Sequence, residues 1–312
     1  MTFSLKCKGE MSRYPIVDKK IVIAELSALI RTIGSISFRG LNEFVIDLST
    51  ENSAISRRVF KIIKFLYNFN CNVIVKKSNR FKKHNRYSLV IDREYAVKIL
   101  IDTRIIESEH VNILEFNYGV PQYIYTDASY IKAYLRGAFL GSGSINDPSK
   151  SYHLELVTDK LVHAEGIEKL MNNFELGAKT IERKQNFVTY LKESDKIVDY
   201  LNITGAHKNL LEIENIRVIK DVRNRVNRET NCDTANLNKI VDAAIRQKLC
   251  ILKLQNAGIL TSLPDNLREL AQLRLDNEDA SLRELGEMLE PPLGKSGVNH
   301  RLKKIEKIAE EI

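Results

Sequence analysis

The sequence contains no tryptophan, and its four cysteines are too scattered to form a site together. Cys7, Cys71, Cys232 and Cys250 form no Cys-x-x-Cys pair, which argues against a structural zinc site and against a disulfide framework. No apolar run approaches the roughly 18 residues that a membrane span needs, and the N-terminal segment has no signal-peptide core. We therefore expect a soluble cytoplasmic protein with reduced thiols and no membrane contact.

The residues that are present are those of a globular protein with a surplus of positive charge. Of the 312 residues, 44% are hydrophobic and 28% are charged, and the formal net charge is +8. A chain of this length accommodates about two or three domains of ordinary size. The positive charge favours a polyanionic partner, although it says nothing about the fold.

One pattern occurs twice in the chain. Residues 24–36, AELSALIRTIGSI, align without a gap with residues 133–145, AYLRGAFLGSGSI, at an offset of 109 residues (from 24 to 133). Residues four apart share one face of a helix, and small residues on that face let two helix backbones approach closely. The small residues of the two copies are therefore expected to form the interface between two repeats: Ala24, Ala28, Thr32, Ala133, Gly137 and Gly141.

The same order of elements follows each copy of the pattern. Each helix is followed by a hairpin pattern, a second helix, a second hairpin and a closing helix, and the last hairpin is centred on the turn Gln185-Asn186. The stretch 116–127, FNYGVPQYIYTD, has the glycine and proline of a linker. The sequence thus predicts an α+β fold of two αββαββα repeats, followed by an all-α region.

The stretch YLRGAFLGSGSI, 134–145, resembles the motif of the LAGLIDADG homing endonucleases. In that family the paired motif helices each contribute an acid near their C-terminal end, and two four-stranded sheets form a saddle over DNA. The alignment places the acidic positions on Ile33 and Ser142, and the nearest later acid, Asp147, lies past a turn. Hydrolysis of a phosphodiester on two metal ions needs carboxylates as ligands. We therefore predict no catalytic residue, no metal ion and no cofactor, and hence a chain that is not an enzyme.

Together with 223–239, RNRVNRETNCDTANLNK, and 281–305, SLRELGEMLEPPLGKSGVNHRLKKI, this stretch is similar to the bacterial WhiA family. The resemblance covers essentially the whole chain. It implies a degenerate LAGLIDADG domain joined to a C-terminal helix-turn-helix, in a regulator of transcription that binds double-stranded DNA at the nucleoid. It also implies roles in cell division, chromosome segregation and, in sporulating lineages, development, with other transcription factors or cell-division proteins as possible further partners.

The predicted organisation has five segments. They are a first repeat with an N-terminal segment (1–105), an inter-repeat linker (106–128), a second repeat (129–205), a basic linker or hinge (206–233) and a helix-turn-helix domain (234–312). Residues 203–216 fit either a flexible hinge or part of a rigid helix. Thr234 is a candidate N-cap for a long helix that ends at Gly258, with core positions at Leu237, Val241, Ala244, Ile245 and Leu249.

Three short helices are predicted after that long helix. Pro264 fits the first turn of the first one, Ser281 and Glu284 have capping-box spacing at the second, and Ser296 is a candidate cap of the third. The third helix has an apolar side formed by Val298, Leu302, Ile305 and Ala309. This layout is typical of a helix-turn-helix, whose last helix lies in the major groove.

The predicted DNA contacts cluster on and near the third helix. Asn299 is suited to adenine, Arg301 to guanine or to a phosphate, and Lys303 and Lys304 to phosphates that position the helix. The complete set is Ser281, Lys295, Ser296, Asn299, His300, Arg301, Lys303, Lys304 and Lys307. A three-helix bundle that binds protein through a basic flank is the alternative.

Two further basic stretches are candidates for secondary DNA contacts, although each also fits an ordinary solvated surface. The first is a hairpin tip in the first repeat, supported by Arg57, Arg58, Lys61 and Lys64 of the preceding helix; the second lies at 217–228. Their basic residues are Lys76, Lys77, Arg80, Lys82, Lys83 and Arg86, and Arg217, Lys220, Arg223, Arg225 and Arg228. Two other functions stay open: a nuclease with relocated metal ligands, and an interaction scaffold in which the repeats bind a protein.

Overall fold

The computed structural model describes residues 1–38, 44–77, 85–108 and 116–311. Two compact units are present, Met1–Val218 (unit 1) and Ile219–Ile312 (unit 2). Unit 1 has two four-stranded antiparallel sheets covered by helices, whereas the described part of unit 2 consists of helices and turns. The predicted α+β class is confirmed.

The first repeat follows a short N-terminal helix, α1 (Phe3–Met11). Its first helix begins where the side chain of Asp18 accepts a hydrogen bond from the Ile21 N–H (3.0 Å), and its second where Asn52 accepts from the Ala54 N–H (2.8 Å). The sheet has the strand order β1-β2-β4-β3. The elements are α2 (Lys19–Ile33), β1 (Gly34–Phe38), β2 (Phe44–Thr50), α3 (Ser53–Tyr67), β3 (Asn72–Lys77), β4 (Asn85–Asp92) and α4 (Arg93–Asp102).

The second repeat has the same order of elements and the equivalent strand order, β5-β6-β8-β7. Asp127 caps its first helix by accepting from the Ser129 N–H (2.7 Å). The elements are α5 (Ala128–Ser142), β5 (Gly143–Ile145), β6 (Leu154–Thr158), α6 (Leu161–Asn172), β7 (Lys179–Arg183), β8 (Asn186–Leu191) and α7 (Ser194–Thr204). The turn predicted at Gln185-Asn186 is wrong by one residue, because Asn186 pairs with Arg183 and Lys184 adopts the positive φ of 59°.

The first helices of the two repeats, α2 and α5, pack against each other along the small-residue faces. A Cβ atom added to Gly137 would lie 2.4 Å from the carbonyl oxygen of Glu25, and one added to Gly141 would lie 1.9 Å from Oγ1 of Thr32. Ala24, Ala28 and Ala133 are completely buried. The helices approach so closely because these positions carry almost no side chain.

A buried ionic cluster lies in the same interface. The Glu25 carboxylate accepts hydrogen bonds from the guanidinium groups of Arg58 on α3 and Arg136 on α5, the latter at 2.9 Å. The exposed fractions of the three side chains are 0%, 1% and 4%. Arg136 also stacks on the ring of Tyr14, 3.9 Å from its centroid. One carboxylate thus joins both repeats and the segment after α1.

The helix α8 (His207–Asn256) begins in unit 1, belongs to unit 2 from Ile219 onward, and differs from the prediction at its start. Thr234 is not an N-cap, since the helix begins at His207 and runs through the predicted linker 206–233. The expected core positions on this helix are also wrong: Leu237, Val241, Ile245 and Leu249 are 46–61% exposed, and Ala244 is half-buried. The predicted end is confirmed, because Gly258 follows the helix with a φ of +72°.

Three helices follow, α9 (Asp265–Asp276), α10 (Leu282–Glu287) and α11 (Lys295–Glu310). Their core includes the predicted apolar face of α11, which packs with Leu267, Leu270 and Leu285 and with Ile251 and Leu254 of α8. Pro264 is the N-cap of α9 rather than a residue of its first turn, and α11 is preceded by Gly294, so Ser296 does not cap it.

Candidate nucleic-acid interface

The ends of the two interface helices carry no carboxylate. α2 ends at Ile33 and α5 at Ser142, each followed by a glycine. The hydroxyl of Ser142 donates within its own helix to the carbonyl of Ala138 (3.2 Å). Among the described residues, no group of three or more His, Cys, Asp or Glu side chains is arranged to hold a metal ion. A helix C-terminus has partial negative charge, so without a cation it repels phosphate.

The acid nearest in sequence, Asp147, stabilises a turn. Its Oδ1 accepts from the backbone N–H of Ser149 (2.9 Å) and from the Ser149 hydroxyl (2.7 Å). These hydrogen bonds to Ser149 lower the pKa of Asp147 below its ordinary value. The carboxylate is thus held on its own turn.

Two acids that the sequence analysis did not single out occupy equivalent places in the two sheets. Asp47 on β2 pairs in register with Ser35, and Glu155 on β6 pairs with Ser144. Both alternate with buried residues, so they lie on the sheet faces that point away from the helical layer. The alternation of apolar and polar residues in VIDLS and LELVT is the sequence feature that indicates this placement.

Both carboxylates accept hydrogen bonds from neighbouring serine hydroxyls. Asp47 accepts from the hydroxyls of Ser49 and Ser88, and Glu155 from the hydroxyl of Ser144 (3.1 Å). Arg183 lies 3.9 Å from Glu155. Negative charge therefore occupies the open face of each sheet, next to the strand that follows the interface helix.

The basic residues of the first repeat lie at the edge of its sheet. Lys76 and Lys77 are the last residues of the edge strand β3. Arg86, on the neighbouring strand β4, pairs in register with Lys76, and all three side chains are exposed. The predicted contacts Arg80, Lys82 and Lys83 lie outside the described residues. On α3, Arg57, Lys61 and Lys64 are exposed. The inclusion of Arg58 in this basic surface is wrong, because Glu25 binds it in the interior.

The basic residues between 217 and 228 of α8 differ in their ion pairs and in their exposure. Arg217 pairs with Asp195 and with Glu214 (2.8 Å), and these partners raise its pKa against the lowering effect of burial. Arg223, Arg225 and Arg228 are exposed, whereas Lys220 is half-buried. Three of the five predicted residues thus present their charge fully to solvent.

The α10–α11 pair has the local structure of a helix-turn-helix. The predicted capping box at α10 is confirmed: Ser281 Oγ accepts from the Glu284 N–H (3.3 Å), and Glu284 Oε2 accepts from the Ser281 N–H (2.7 Å). The turn between α10 and α11 is stabilised by a hydrogen bond that the Leu293 N–H donates to the carbonyl of Gly286 (2.8 Å). A Cβ atom at position 286 would lie 2.0 Å from the Leu293 carbonyl oxygen, so this close contact requires glycine.

The predicted contact residues of α11 are mostly on its solvent side. Lys295, Ser296, His300, Lys303, Lys304 and Lys307 are exposed, and Asn299 is half-buried. Arg301 is turned toward α9, where its Nη1 lies 3.5 Å from the carbonyl of Asn266. The first acid on the helix is Glu306, near Arg246 of α8 (3.5 Å). The N-terminal half of α11 therefore presents positive charge on a rigid support.

Comparison with known proteins identifies three matching family models. The WhiA N-terminal LAGLIDADG-like domain matches residues 19–106, the WhiA LAGLIDADG-like domain matches residues 131–223, and the WhiA C-terminal HTH domain matches residues 226–309. Within the described residues, the helices are too short or too polar to cross a membrane.

Two relatives named "Probable cell division protein WhiA" match the whole chain. The one from Clostridium beijerinckii is 48% identical over 312 residues, covering 100% of this chain and 99% of the relative. The one from Clostridium tetani is 48% identical over 313 residues, covering 100% and 98%.

Two solved structures have a similar fold. Full-length DUF199/WhiA from Thermatoga maritima aligns with a TM-score of 0.60 and 28% identity, covering 100% of this chain and 99% of that one. The N-terminal LAGLIDADG domain of DUF199/WhiA aligns with a TM-score of 0.54 and 24% identity, covering 69% and 96%.

Proposed function

Since the chain belongs to the WhiA family, we propose that it is a non-catalytic, sequence-specific DNA-binding regulator of transcription. Its relatives are named probable cell division proteins, and we extend that role to this chain. The same proposal includes control of chromosome segregation. Where the organism sporulates, it also includes control of development. The protein would then act at the nucleoid in the cytoplasm.

The observation that carries the proposal is the charge on α11. Lys295, Lys303 and Lys304 are exposed on a helix whose opposite side is buried in the core of unit 2. A helix presented in this way enters the major groove, where its N-terminal residues reach base edges. In this proposal Asn299 reads a base, and the lysines contact phosphates on either side.

We propose a narrower role for some of the predicted contact residues, supported by their hydrogen bonds. The hydroxyl of Ser281 keeps its hydrogen for a phosphate, because its oxygen is an acceptor in the capping box. Arg301 reaches toward the carbonyl of Asn266, which favours a supporting role over a contact to guanine. Arg223, Arg225 and Arg228 supply sequence-independent attraction to DNA.

The repeats of unit 1 are proposed to have no nuclease activity. The positions of the family's acids hold Ile33 and Ser142, neither of which ligates Mg²⁺ as a carboxylate does. Asp47 and Glu155 place negative charge on the open sheet faces, which disfavours a centrally bound duplex. We assign these faces to protein partners, among which other transcription factors and cell-division proteins are the natural candidates.

The test is a charge reversal with a matched control. Replacing Lys303 and Lys304 by Glu in the full chain should lower affinity for promoter fragments by at least about 100-fold, since each phosphate contact is lost and replaced by repulsion. The control is Lys19→Glu with Lys20→Glu, an equal charge change at an exposed pair that begins α2.

Binding is measured by fluorescence anisotropy, and sites by genome-wide occupancy of the full chain and of a chain ending at residue 205. If the α11 variant binds like the control, α11 is not the DNA-reading element. Nicking of supercoiled DNA that requires Mg²⁺ or Mn²⁺ and that disappears in Asp147→Asn would contradict the absence of catalysis.

A further inference from the structure

Unit 2 contains a cavity of about 360 Å³ beside the start of α11. Its walls come from α8, from the end of α9 and from the first residues of α10 and α11. Ile240, Ala243, Ala244 and Leu282 form the apolar part of the wall. The cavity exists because two consecutive alanines stand on α8 where larger side chains would fill the space.

Positive charge surrounds this apolar wall. Lys239, Arg274, Arg283 and Lys295 all line the cavity, and its described lining includes no acidic residue. Arg283 uses its Nε to pair with Glu287 (3.0 Å), and its side chain is 83% exposed, so the rest of its guanidinium faces solvent. A group with negative charge is attracted to such a lining.

Two of the lining residues each have a buried polar atom without a hydrogen-bond partner among the described residues. These atoms are Oε1 of Gln247 and Nε of Arg274. The two residues are only 5% and 2% exposed. A buried polar group without a partner is costly, and native structures normally satisfy it.

From these three observations we propose that the cavity binds a small organic anion. Its acidic group is held by Lys295 and Arg283, and its apolar body packs on Ile240, Ala243 and Ala244. The volume and the mixture of apolar wall with a few polar groups are those of small-molecule sites. A DNA phosphate would satisfy the rim cations but would leave the apolar wall uncovered.

The site has a direct connection to DNA binding, a step that rests on the proposed function. Lys295 and Asn299 belong both to the cavity lining and to the candidate DNA contacts. An anion bound to Lys295 neutralises charge that would otherwise meet a phosphate. Occupancy of the cavity therefore weakens DNA binding, and the chain responds to the concentration of the anion.

The experiment uses the full chain and 8-anilinonaphthalene-1-sulfonate, a fluorescent aromatic anion, as the probe. Ala244→Phe fills the cavity and should remove one probe site or weaken it by at least about tenfold. Ala235→Phe is the matched control, since it makes the same change at an exposed position of α8 outside the cavity. Arg283→Gln changes only an exposed side chain and should weaken the same site about threefold.

Far-UV circular dichroism checks that the variants fold. If Ala244→Phe does not fold, Arg283→Gln alone tests the proposal. The proposal is supported if Ala244→Phe and Arg283→Gln lose probe affinity while Ala235→Phe keeps it. It is overturned if Ala244→Phe and Arg283→Gln bind the probe like the unmodified chain, or if Ala235→Phe loses probe affinity as strongly as Ala244→Phe. The probe titrations need no DNA, so their outcome is separate from that of the Lys303/Lys304 test.

Discussion

The buried carboxylate of Glu25 gives the sharpest prediction about unit 1. Glu25→Gln keeps the shape of the side chain but removes the negative charge that two buried guanidinium groups share. Arg58 retains its hydrogen bond to the carbonyl of Tyr14 (2.7 Å), and Arg136 retains its contact with the Tyr14 ring. Neither contact supplies a countercharge, so the variant leaves two cations uncompensated in the interior.

Breaking a buried ion pair by removing one partner costs about 3–5 kcal/mol. The amide oxygen of glutamine still accepts one hydrogen bond, so we expect about 3 kcal/mol for this variant. With an m-value of about 1–3 kcal/mol/M in urea, the midpoint of unit 1 falls by about 1–3 M.

The assay reads unit 1 alone. The chain has no tryptophan, and the last of its 12 tyrosines is Tyr200, so tyrosine fluorescence comes entirely from residues 1–218. Glu165→Gln, on the exposed side of α6, is the control and should change stability by less than about 0.5 kcal/mol. If Glu25→Gln unfolds at the same urea concentration as Glu165→Gln, the ionic cluster does not hold the repeats together.

The same carboxylate predicts a pH dependence. Burial alone would raise the pKa of Glu25, but Arg136 and Arg58 outweigh it and hold the pKa below its ordinary value. A group with a lowered folded-state pKa adds stability that is complete above its unfolded-state pKa and is lost as the pH falls toward the folded-state value. Unit 1 of the unmodified chain should therefore lose stability below about pH 4.5, and Glu25→Gln should lack this part of the loss.

Three further predictions concern packing, capping and ionic strength. Gly137→Ala should destabilise unit 1 by about 1–3 kcal/mol in the urea assay, because its Cβ would lie 2.4 Å from a backbone oxygen of α2; unchanged stability would mean that the helices can separate freely. Ser281→Ala should cost about 1 kcal/mol by removing the cap of α10, measured by amide hydrogen exchange in α10, with Ser296→Ala as the neutral control. The logarithm of DNA affinity should fall linearly with the logarithm of salt concentration, and Lys304→Gln should reduce that slope by about 0.9; an unchanged slope would show that Lys304 touches no phosphate.

The repeats could be predicted from the sequence because their signals are local and occur twice. Small residues at four-residue intervals and alternating apolar positions identify the helices and strands without knowledge of their neighbours. The capping box at Ser281 is similarly local, since both partners lie within one turn. The predicted turn after Arg183 lies one residue too late in the chain. Several neighbouring residues are compatible with a turn, and the register of the two strands determines which of them form it.

Other features depend on contacts between residues distant in sequence. Arg58 lies among exposed basic residues of α3 and looks like one of them, and only the position of Glu25, 33 residues earlier, shows that it is buried. The apolar residues of α8 from Leu237 to Leu249 have the spacing of a core face, yet the rest of unit 2 packs on a later part of this helix, around Ile251 and Leu254. Helical periodicity identifies an apolar face but does not show whether a partner within the chain covers it.

The proposed absence of catalysis and the acids on the two sheets are physically consistent with each other. A carboxylate at the end of α2 or α5 would be useful only with a bound cation, which neutralises the helix C-terminus and attracts phosphate. With Ile33 and Ser142 at those positions, the proposed function gives the centre of unit 1 no attraction for DNA. Asp47 and Glu155 stand on the adjacent strands, each bound by at least one serine hydroxyl, and under the proposed function their charge opposes no DNA contact at the centre. The two interface helices keep their small residues because the Glu25 cluster and the close contact at Gly137 still require them.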